Sequence, residues 1–255
     1  MLWGRLRIAT DTCGRVAGSI LFFLILNGAL LMAAETASQS KDPMQVPQKI
    51  IFVGDSITGW SDLSRWLKYS HIIDCMIEAR CGVGQAIVLN RGVGGDTTGM
   101  VLARLDADVI AEKPDAIVLL ITGNDTFQKF ARSVIDADLD QLMKRIIVVC
   151  PRVLMMQYHN DTPDSPGPLI IREAAARWKC PLLDMAVFLD ATRDDSVPVN
   201  EPDYRKLSTW LGLTRYRTSD LLGTDGVHLN SAGEIMYAKA IFAKLRELNW
   251  LPAPQ

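Results

Sequence analysis

Apolar runs of strand length recur along the chain at residues 50–53, 86–89, 116–121, 153–157 and 181–183, separated by stretches that can each hold a helix. Near-continuous hydrophobicity, as opposed to strict alternation, marks strands covered on both faces. The pattern therefore predicts an α/β domain, a parallel sheet with helices on either side. Residues 139–158 are ambiguous: Ile146-Ile147-Val148-Val149 is β-branched throughout, yet Leu139, Leu142, Met143, Ile146 and Cys150 keep helical spacing. We read a helix up to Cys150 and a strand over 152–158 after Pro151. A turn-rich loop over 159–168, full of Asn, Asp, Ser, Gly and Pro, follows that strand. The final helix is expected over about 232–247.

The beginning of the chain has a different pattern. Arg5, Arg7 and Arg15 precede an apolar run over 16–34, and polar residues 35–42 follow it. This is the pattern of an export segment, to be kept apart from the fold. Residues 1–46 are read as a signal peptide plus short linker, with a membrane anchor through 16–34 as the alternative. The domain, 47–255, has no internal repeat or linker and is expected to work in the periplasm or outside the cell. A hydrophobic content of 49% against 22% charged residues, over 255 residues, is enough to bury a real core. A net charge of -2 with interspersed signs lacks the basic stripe that nucleic-acid binding needs.

Cys150-Pro151 and Cys180-Pro181 each stand at the start of a predicted strand. Were those strands neighbours in matching register, the cysteines would lie about 5 Å apart, within reach of a disulfide that export would permit. Two buried free thiols are the other reading. Cys75 and Cys81 are a poorer pair, separated by about 9 Å of helical rise.

The candidate chemistry begins at Gly54-Asp55-Ser56-Ile57-Thr58-Gly59, where the first apolar run stops. Taken alone, this could be a strand-to-helix turn with Ser56 as an N-cap. Three more stretches raise its weight: Asn90-Arg91-Gly92-Val93-Gly94-Gly95-Asp96 after the second strand, Ile121-Thr122-Gly123-Asn124-Asp125 after the third, and Thr224-Asp225-Gly226-Val227-His228 before the last helix. In a parallel sheet the carboxyl ends of the strands share one edge, so Ser56, Gly95 and Asn124 can converge there. The glycine loop is not a dinucleotide fingerprint, because Asp96 would repel a pyrophosphate. A hydroxyl nucleophile needs a base, and of three histidines only His228 has an acid at Asp-x-x-His spacing. His71 is expected to be structural, and His159, in the turn-rich loop, to be exposed. Asp55 is expected to hold the turn and not to serve as a second acid.

These blocks, in order, resemble those of the SGNH hydrolases, also called GDSL esterases/lipases, over about residues 48–246. The resemblance implies a three-layer α/β/α sandwich with a five-stranded parallel sheet, flavodoxin-like in strand order, and acyl-ester hydrolysis without metal or cofactor. By the same resemblance Ser56 matches the nucleophile, His228 the general base and Asp225 its partner. Gly95 and Asn124 match the oxyanion-hole donors beside the Ser56 amide. One departure is local: many relatives read Gly-Thr-Asn-Asp where this chain has Thr122-Gly123-Asn124-Asp125.

Specificity is assigned to the loops 60–66, 159–168 and 190–224, which carry Trp60, Trp66, Tyr204, Trp210 and Tyr216, with Tyr158 just before the second of them. Aromatic faces suit sugar rings and small acyl groups as well as core packing. Export and the lack of a long apolar lid favour a small-molecule or glycan ester, such as an acetyl ester on extracellular or cell-wall carbohydrate. A lysophospholipase or thioesterase, and a non-catalytic carbohydrate-binding module, are the alternatives. Membrane contact is expected only through the N-terminal segment if it stays uncleaved.

Overall fold

A computed structural model describes residues 47–59, 67–159, 166–186 and 221–252; the predicted export segment lies outside them. The elements in order are β1 (Lys49–Gly54), α1 (Tyr69–Cys81), β2 (Ile87–Gly92), α2 (Thr98–Asp108), β3 (Ala116–Leu120), α3 (Gly123–Phe127), α4 (Arg132–Val149), β4 (Val153–Gln157), α5 (Pro166–Trp178), β5 (Leu182–Asp184) and α6 (Ser231–Glu247). The five strands form one sheet in the order β2-β1-β3-β4-β5, and every neighbouring pair is parallel. This is the predicted α/β/α sandwich with its flavodoxin-like order. Chain direction across the sheet reverses between β1 and β3, the place where such sheets open a crevice at their carboxyl edge.

The near-continuous hydrophobicity of the strands now has its cause, because both faces are covered. Ile50, Phe52, Val118, Leu120, Leu154 and Met156 pack towards Ile73 and Ile77 of α1 and Tyr237, Ile241 and Leu245 of α6. The alternate residues Ile51, Val53, Ile117, Leu119, Val153 and Met155 pack towards Val101 and Leu105 of α2, Leu139, Leu142 and Ile146 of α4, and Ile170 and Ala174 of α5. Each such aliphatic side chain, taken fully out of water, contributes about 1.5–3 kcal/mol.

The ambiguous segment is helix through Val149, with Cys150 as its extended C-cap. Its β-branched tail does not prevent this, since Val148 is 84% exposed and makes no demand for strand packing, while Leu139, Leu142, Met143 and Ile146 are completely buried. At the other end of the fold, α6 starts where Asn230 caps it, its side chain accepting from the N–H groups of Ala232 (2.9 Å) and Gly233 (3.1 Å). Such a cap is worth about 1 kcal/mol.

β4 and β5 are indeed neighbours, but the register is wrong for a disulfide. Met155 pairs with Leu182, which sets Cys180 opposite Val153 and three positions from Cys150, about 10 Å along the strand. Cys75, Cys81, Cys150 and Cys180 are all free thiols. Burial pushes the Cys180 thiol up to about 11, so it is protonated and unreactive at neutral pH.

Candidate active site

β1 ends at Gly54 because nothing larger fits there: a Cβ would lie 2.4 Å from both the Leu120 carbonyl oxygen and Thr58 Oγ1. The chain then makes a tight turn, Gly59 N–H donating to the Asp55 carbonyl at 2.7 Å. Residues 56–58 are turn and not the first turn of a helix, so Ser56 is not an N-cap. Asp55 is buried and accepts from the Ile57 N–H (3.0 Å) and the Tyr158 hydroxyl (2.5 Å). Burial pushes its carboxyl above the usual range, while the Tyr158 and Ile57 hydrogen bonds pull it back. Its place is that of a turn-holding residue, and it borders the same cavity as Ser56.

The turn is tied to its neighbours by residues that the sequence did not single out. Lys68 Nζ donates to the Ile57 carbonyl (3.0 Å) and pairs with Glu234 of α6 at 2.6 Å, and both side chains are buried. The other Glu234 oxygen accepts the Tyr69 N–H at 2.8 Å. Tyr69 donates its hydroxyl to Thr58 Oγ1 (2.8 Å), and Asn90 donates to the Thr58 carbonyl (2.6 Å). These contacts join positions as far apart as 68 and 234, and no local pattern announces them.

The glycine loop after β2 continues alongside β1, Val93 N–H donating to the Gly54 carbonyl at 3.0 Å. Arg104 of α2 holds it from behind through Asp96 (2.7 Å) and the Arg91 carbonyl (2.8 Å). Gly95 has a left-handed backbone, φ 83°. It is exposed and does not line the cavity, whereas a Cβ on Gly94 would meet Ser56 Cβ at 3.7 Å. The backbone N–H groups of Ser56 and Gly95 donate no hydrogen bond among the described residues.

Asn124 sits in α3, and its Nδ2 donates to the Asp96 carbonyl (2.9 Å), with Asp55 Oδ2 further off at 3.5 Å. Asp125 accepts the Thr98 N–H (2.9 Å) and hydroxyl (3.1 Å), fastening this corner to α2. The reordered Thr-Gly pair has a physical reason. A Cβ on Gly123 would stand 2.7 Å from the Tyr158 ring, the ring that reaches Asp55. The glycine therefore goes to 123, and Thr122 takes the left-handed conformation, φ 86°, at some strain for a β-branched residue.

The fourth block lies just before α6. Gly223 N–H donates to the His228 carbonyl (2.7 Å) and Asn230 N–H to the Leu221 carbonyl (2.9 Å), so the strip folds back on itself. One Asp225 oxygen accepts the N–H groups of Val227 (2.9 Å) and His228 (3.0 Å), and the other lies 2.5 Å from His228 Nδ1. The His228 side-chain bond, followed by those two backbone donors, holds the Asp225 carboxyl well below the usual carboxylate range. His228 Nε2 then lies 2.8 Å from Ser56 Oγ, across 172 residues of sequence. A hydroxyl, an imidazole and an ionised carboxylate in this series can move a proton off the serine.

Ser56, Asn124, Asp225 and His228 line a single cavity of about 550 Å³, together with Tyr158, His159, Phe127 and Val227. His159 is not exposed as expected from its turn-rich surroundings; it is 6% exposed, with Nδ1 2.6 Å from the Tyr237 hydroxyl of α6. Loop composition gave no sign of that partner. His71, in α1, is partly exposed and lies outside this cavity. No group of three or more His, Cys, Asp or Glu among the described residues is placed to hold a metal ion. The loop residues 60–66, 160–165 and 190–220, with Trp60, Trp66, Tyr204, Trp210 and Tyr216, lie outside the described residues.

An arylesterase from Vibrio mimicus is 29% identical to the chain over 115 residues, 44% of this chain and 56% of that protein. An acetylxylan esterase from Geobacillus stearothermophilus is 30% identical over 92 residues, 32% of this chain and 42% of that protein. The chain thus spans about half the length of the curated relatives it matches. The crystal structure of an acetylxylan esterase from Geobacillus stearothermophilus is similar with a TM-score of 0.57 at 20% identity, over 82% of this chain and 99% of that one, which establishes the shared fold. The sequence profile of the GDSL-like lipase/acylhydrolase family matches residues 52–234, well over half of the chain, and the chain belongs to that family.

Proposed function

We propose that the chain is a serine ester hydrolase in which Ser56 is the nucleophile, His228 the general base and Asp225 the group that orients it. The observation that carries this reading is the continuous series from Ser56 Oγ to His228 Nε2, 2.8 Å, and from His228 Nδ1 to Asp225 Oδ2, 2.5 Å. His228 takes the hydroxyl proton as Oγ bonds to the ester carbonyl carbon. Asp225, held ionised, accepts the Nδ1–H and stabilises the imidazolium. Negative charge then collects on the former carbonyl oxygen. The uncommitted Ser56 N–H and the Asn124 amide, which line the cavity, are the donors assigned to it, each worth about 3 kcal/mol of the barrier; the Gly95 N–H, outside that lining, is assigned on the family resemblance alone. Collapse expels the alcohol, which takes its proton from His228. Water, deprotonated by the same imidazole, then releases the acid from Ser56.

The acyl group is read as small, acetyl above all, and the alcohol as a small molecule or an extracellular or cell-wall carbohydrate. A cavity of about 550 Å³ bordered by the exposed Phe127 and Val227 suits such an ester. The acetylxylan esterase and arylesterase among the relatives support the same class. The catalytic domain is taken as residues 47–255, and 1–46 as the segment that exports it. No helix among the described residues is long and apolar enough to cross a membrane.

Hydrolysis of p-nitrophenyl acetate, butyrate and longer esters, by the full chain and by Ser56→Ala, tests the reading. Turnover that declines with chain length and vanishes in the variant is expected. Turnover that survives Ser56→Ala overturns the mechanism, and a preference for long chains overturns the acyl assignment.

A further inference from the structure

Asp55, Asn124 and Tyr158 come from three strand ends and meet at the wall of the cavity that holds Ser56. Asn124 Nδ2 donates to the Asp96 carbonyl at 2.9 Å and reaches Asp55 Oδ2 only at 3.5 Å, the long limit of a hydrogen bond. That same Asp55 oxygen takes the Tyr158 hydroxyl at 2.5 Å. Two donors of very different strength therefore share one acceptor.

The sharing bears on the reaction because Asn124 is needed elsewhere. Asp55 is 3% exposed, and its Oδ1 is satisfied by the Ile57 N–H at 3.0 Å. A buried carboxylate oxygen without a donor is costly, so Oδ2 holds whichever donor it can reach. Tyr158 satisfies it, and Asn124 is left on a loose contact that it can give up to the oxygen of a tetrahedral intermediate. Without the phenol, Oδ2 draws in Asn124 Nδ2, and the amide is held at the turn. The backbone makes room for this arrangement. A Cβ on Gly123 would stand 2.7 Å from Tyr158 Cζ and 2.9 Å from its hydroxyl, so the residue just before Asn124 is bare where the phenol passes.

Resting on the esterase reading above, we propose that Tyr158 is a positioning residue for the oxyanion donor: by occupying Asp55 Oδ2 it keeps the Asn124 amide available to the reacting carbonyl oxygen. Tyr158 acts through Asn124 and not on the substrate, so its effect falls on kcat. Acylation and deacylation both pass through an oxyanion, and kcat reads the effect whichever step is slower.

The test is kcat and KM on p-nitrophenyl acetate for the full chain, for Tyr158→Phe, and for Tyr158→Phe combined with Asn124→Ala or with Asp55→Asn. Tyr158→Phe alone should lower kcat about 10- to 100-fold, part of what a lost oxyanion donor costs, with KM changed by less than about threefold. In the Asn124→Ala background the same substitution should have almost no effect, because the amide it frees is gone. Asp55→Asn keeps an acceptor for the Ile57 N–H and puts an NH₂ where Oδ2 stood; it should restore much of the kcat that Tyr158→Phe loses. A merely structural hydroxyl gives the opposite pattern, an equal loss with or without Asn124 and a deeper loss with Asp55→Asn. Either of those results, or an unchanged kcat in Tyr158→Phe, overturns the inference. Should Tyr158→Phe fail to fold, a crystal structure of the wild-type protein phosphonylated at Ser56 decides. Asn124 Nδ2 on the phosphonyl oxygen with the Tyr158–Asp55 bond intact supports the inference, and Asn124 closed on Asp55 overturns it. Turnover that survives Ser56→Ala overturns the esterase reading instead, whereas Ser56-dependent turnover indifferent to Tyr158 overturns only this inference.

Discussion

Ser56 stands on a turn braced from several sides by buried groups, whereas Asp225 and His228 stand on a strip whose side chains are 51% and 34% exposed. On the first side Lys68, Glu234, Tyr69, Asn90 and Tyr158 fix the turn through bonds of 2.5–3.0 Å. On the second, the carboxylate is fixed by three donors that come from its own strip, the ring and backbone of His228 and the N–H of Val227. The contrast separates two ways of preparing a catalytic group. Ser56, the proposed nucleophile, is held by long-range tertiary contacts, and its geometry depends on the fold. Asp225 and His228, the proposed orienting acid and base, are held by local bonds next to water, where a proton lost or gained is easily exchanged.

The largest effect should come from breaking the link between the two sides. Ser56→Ala and His228→Ala should each lower kcat on p-nitrophenyl acetate by more than about 10⁴-fold. Asp225→Asn should cost about 10³- to 10⁴-fold through loss of the correct tautomer. Circular dichroism of all three should match wild type, because none of the three braces the core.

Breaking the braced side should instead be felt as stability. Removing one partner of a buried ion pair leaves a charge uncompensated, so Lys68→Met or Glu234→Leu alone should cost about 3–5 kcal/mol in urea unfolding. The double variant should recover most of that loss. An additive double loss would mean the pair is not coupled. Replacing Asn124 by Ala should lower kcat about 10²- to 10³-fold with little change in the unfolding midpoint, if its amide serves the oxyanion.

The pH dependence can be worked out for His159. Its folded value of about 4 lies below the unfolded 6.5, so between the two the unfolded chain binds the extra proton and stability rises with pH. The stability is fully present above 6.5 and is lost as pH falls towards 4, amounting to about 3 kcal/mol. Asp55, Asp125 and Glu234, raised by burial, act in the opposite sense as they protonate. The difference between wild type and His159→Gln isolates the histidine, and a flat difference from pH 7 to 4 would contradict its buried neutral state. The smallest change is expected at Thr122, strained at φ 86° with a buried, unpartnered hydroxyl. Thr122→Gly should stabilise by about 1 kcal/mol, read as a rise of a few degrees in Tm.

The same contrast explains what could be read from the sequence. Strand hydrophobicity is set by burial on both faces, so β1, β3 and β4 were visible as runs, and the helical spacing of Leu139 to Ile146 outweighed the β-branched tail. That Ser56, His228 and Asp225 come together was legible because each lies in a short block whose spacing is local: the serine at a strand end, the Asp225-x-x-His228 pair within one turn. The braces were not, because Lys68 meets Glu234 and Tyr158 meets Asp55 only after the sheet has formed. The strand register that parts Cys150 from Cys180 was hidden for the same reason. His159 shows the limit most clearly, since turn-rich neighbours predicted exposure while a single partner on α6, Tyr237, draws the ring inward.

The most direct measurement is the mass of the protein after reaction with a fluorophosphonate, followed by peptide mapping. A single adduct on Ser56, absent in Ser56→Ala and formed far more slowly in His228→Ala, is the predicted result. An adduct on another residue, or one that persists in Ser56→Ala, would contradict the assignment of Ser56 and His228 as nucleophile and base.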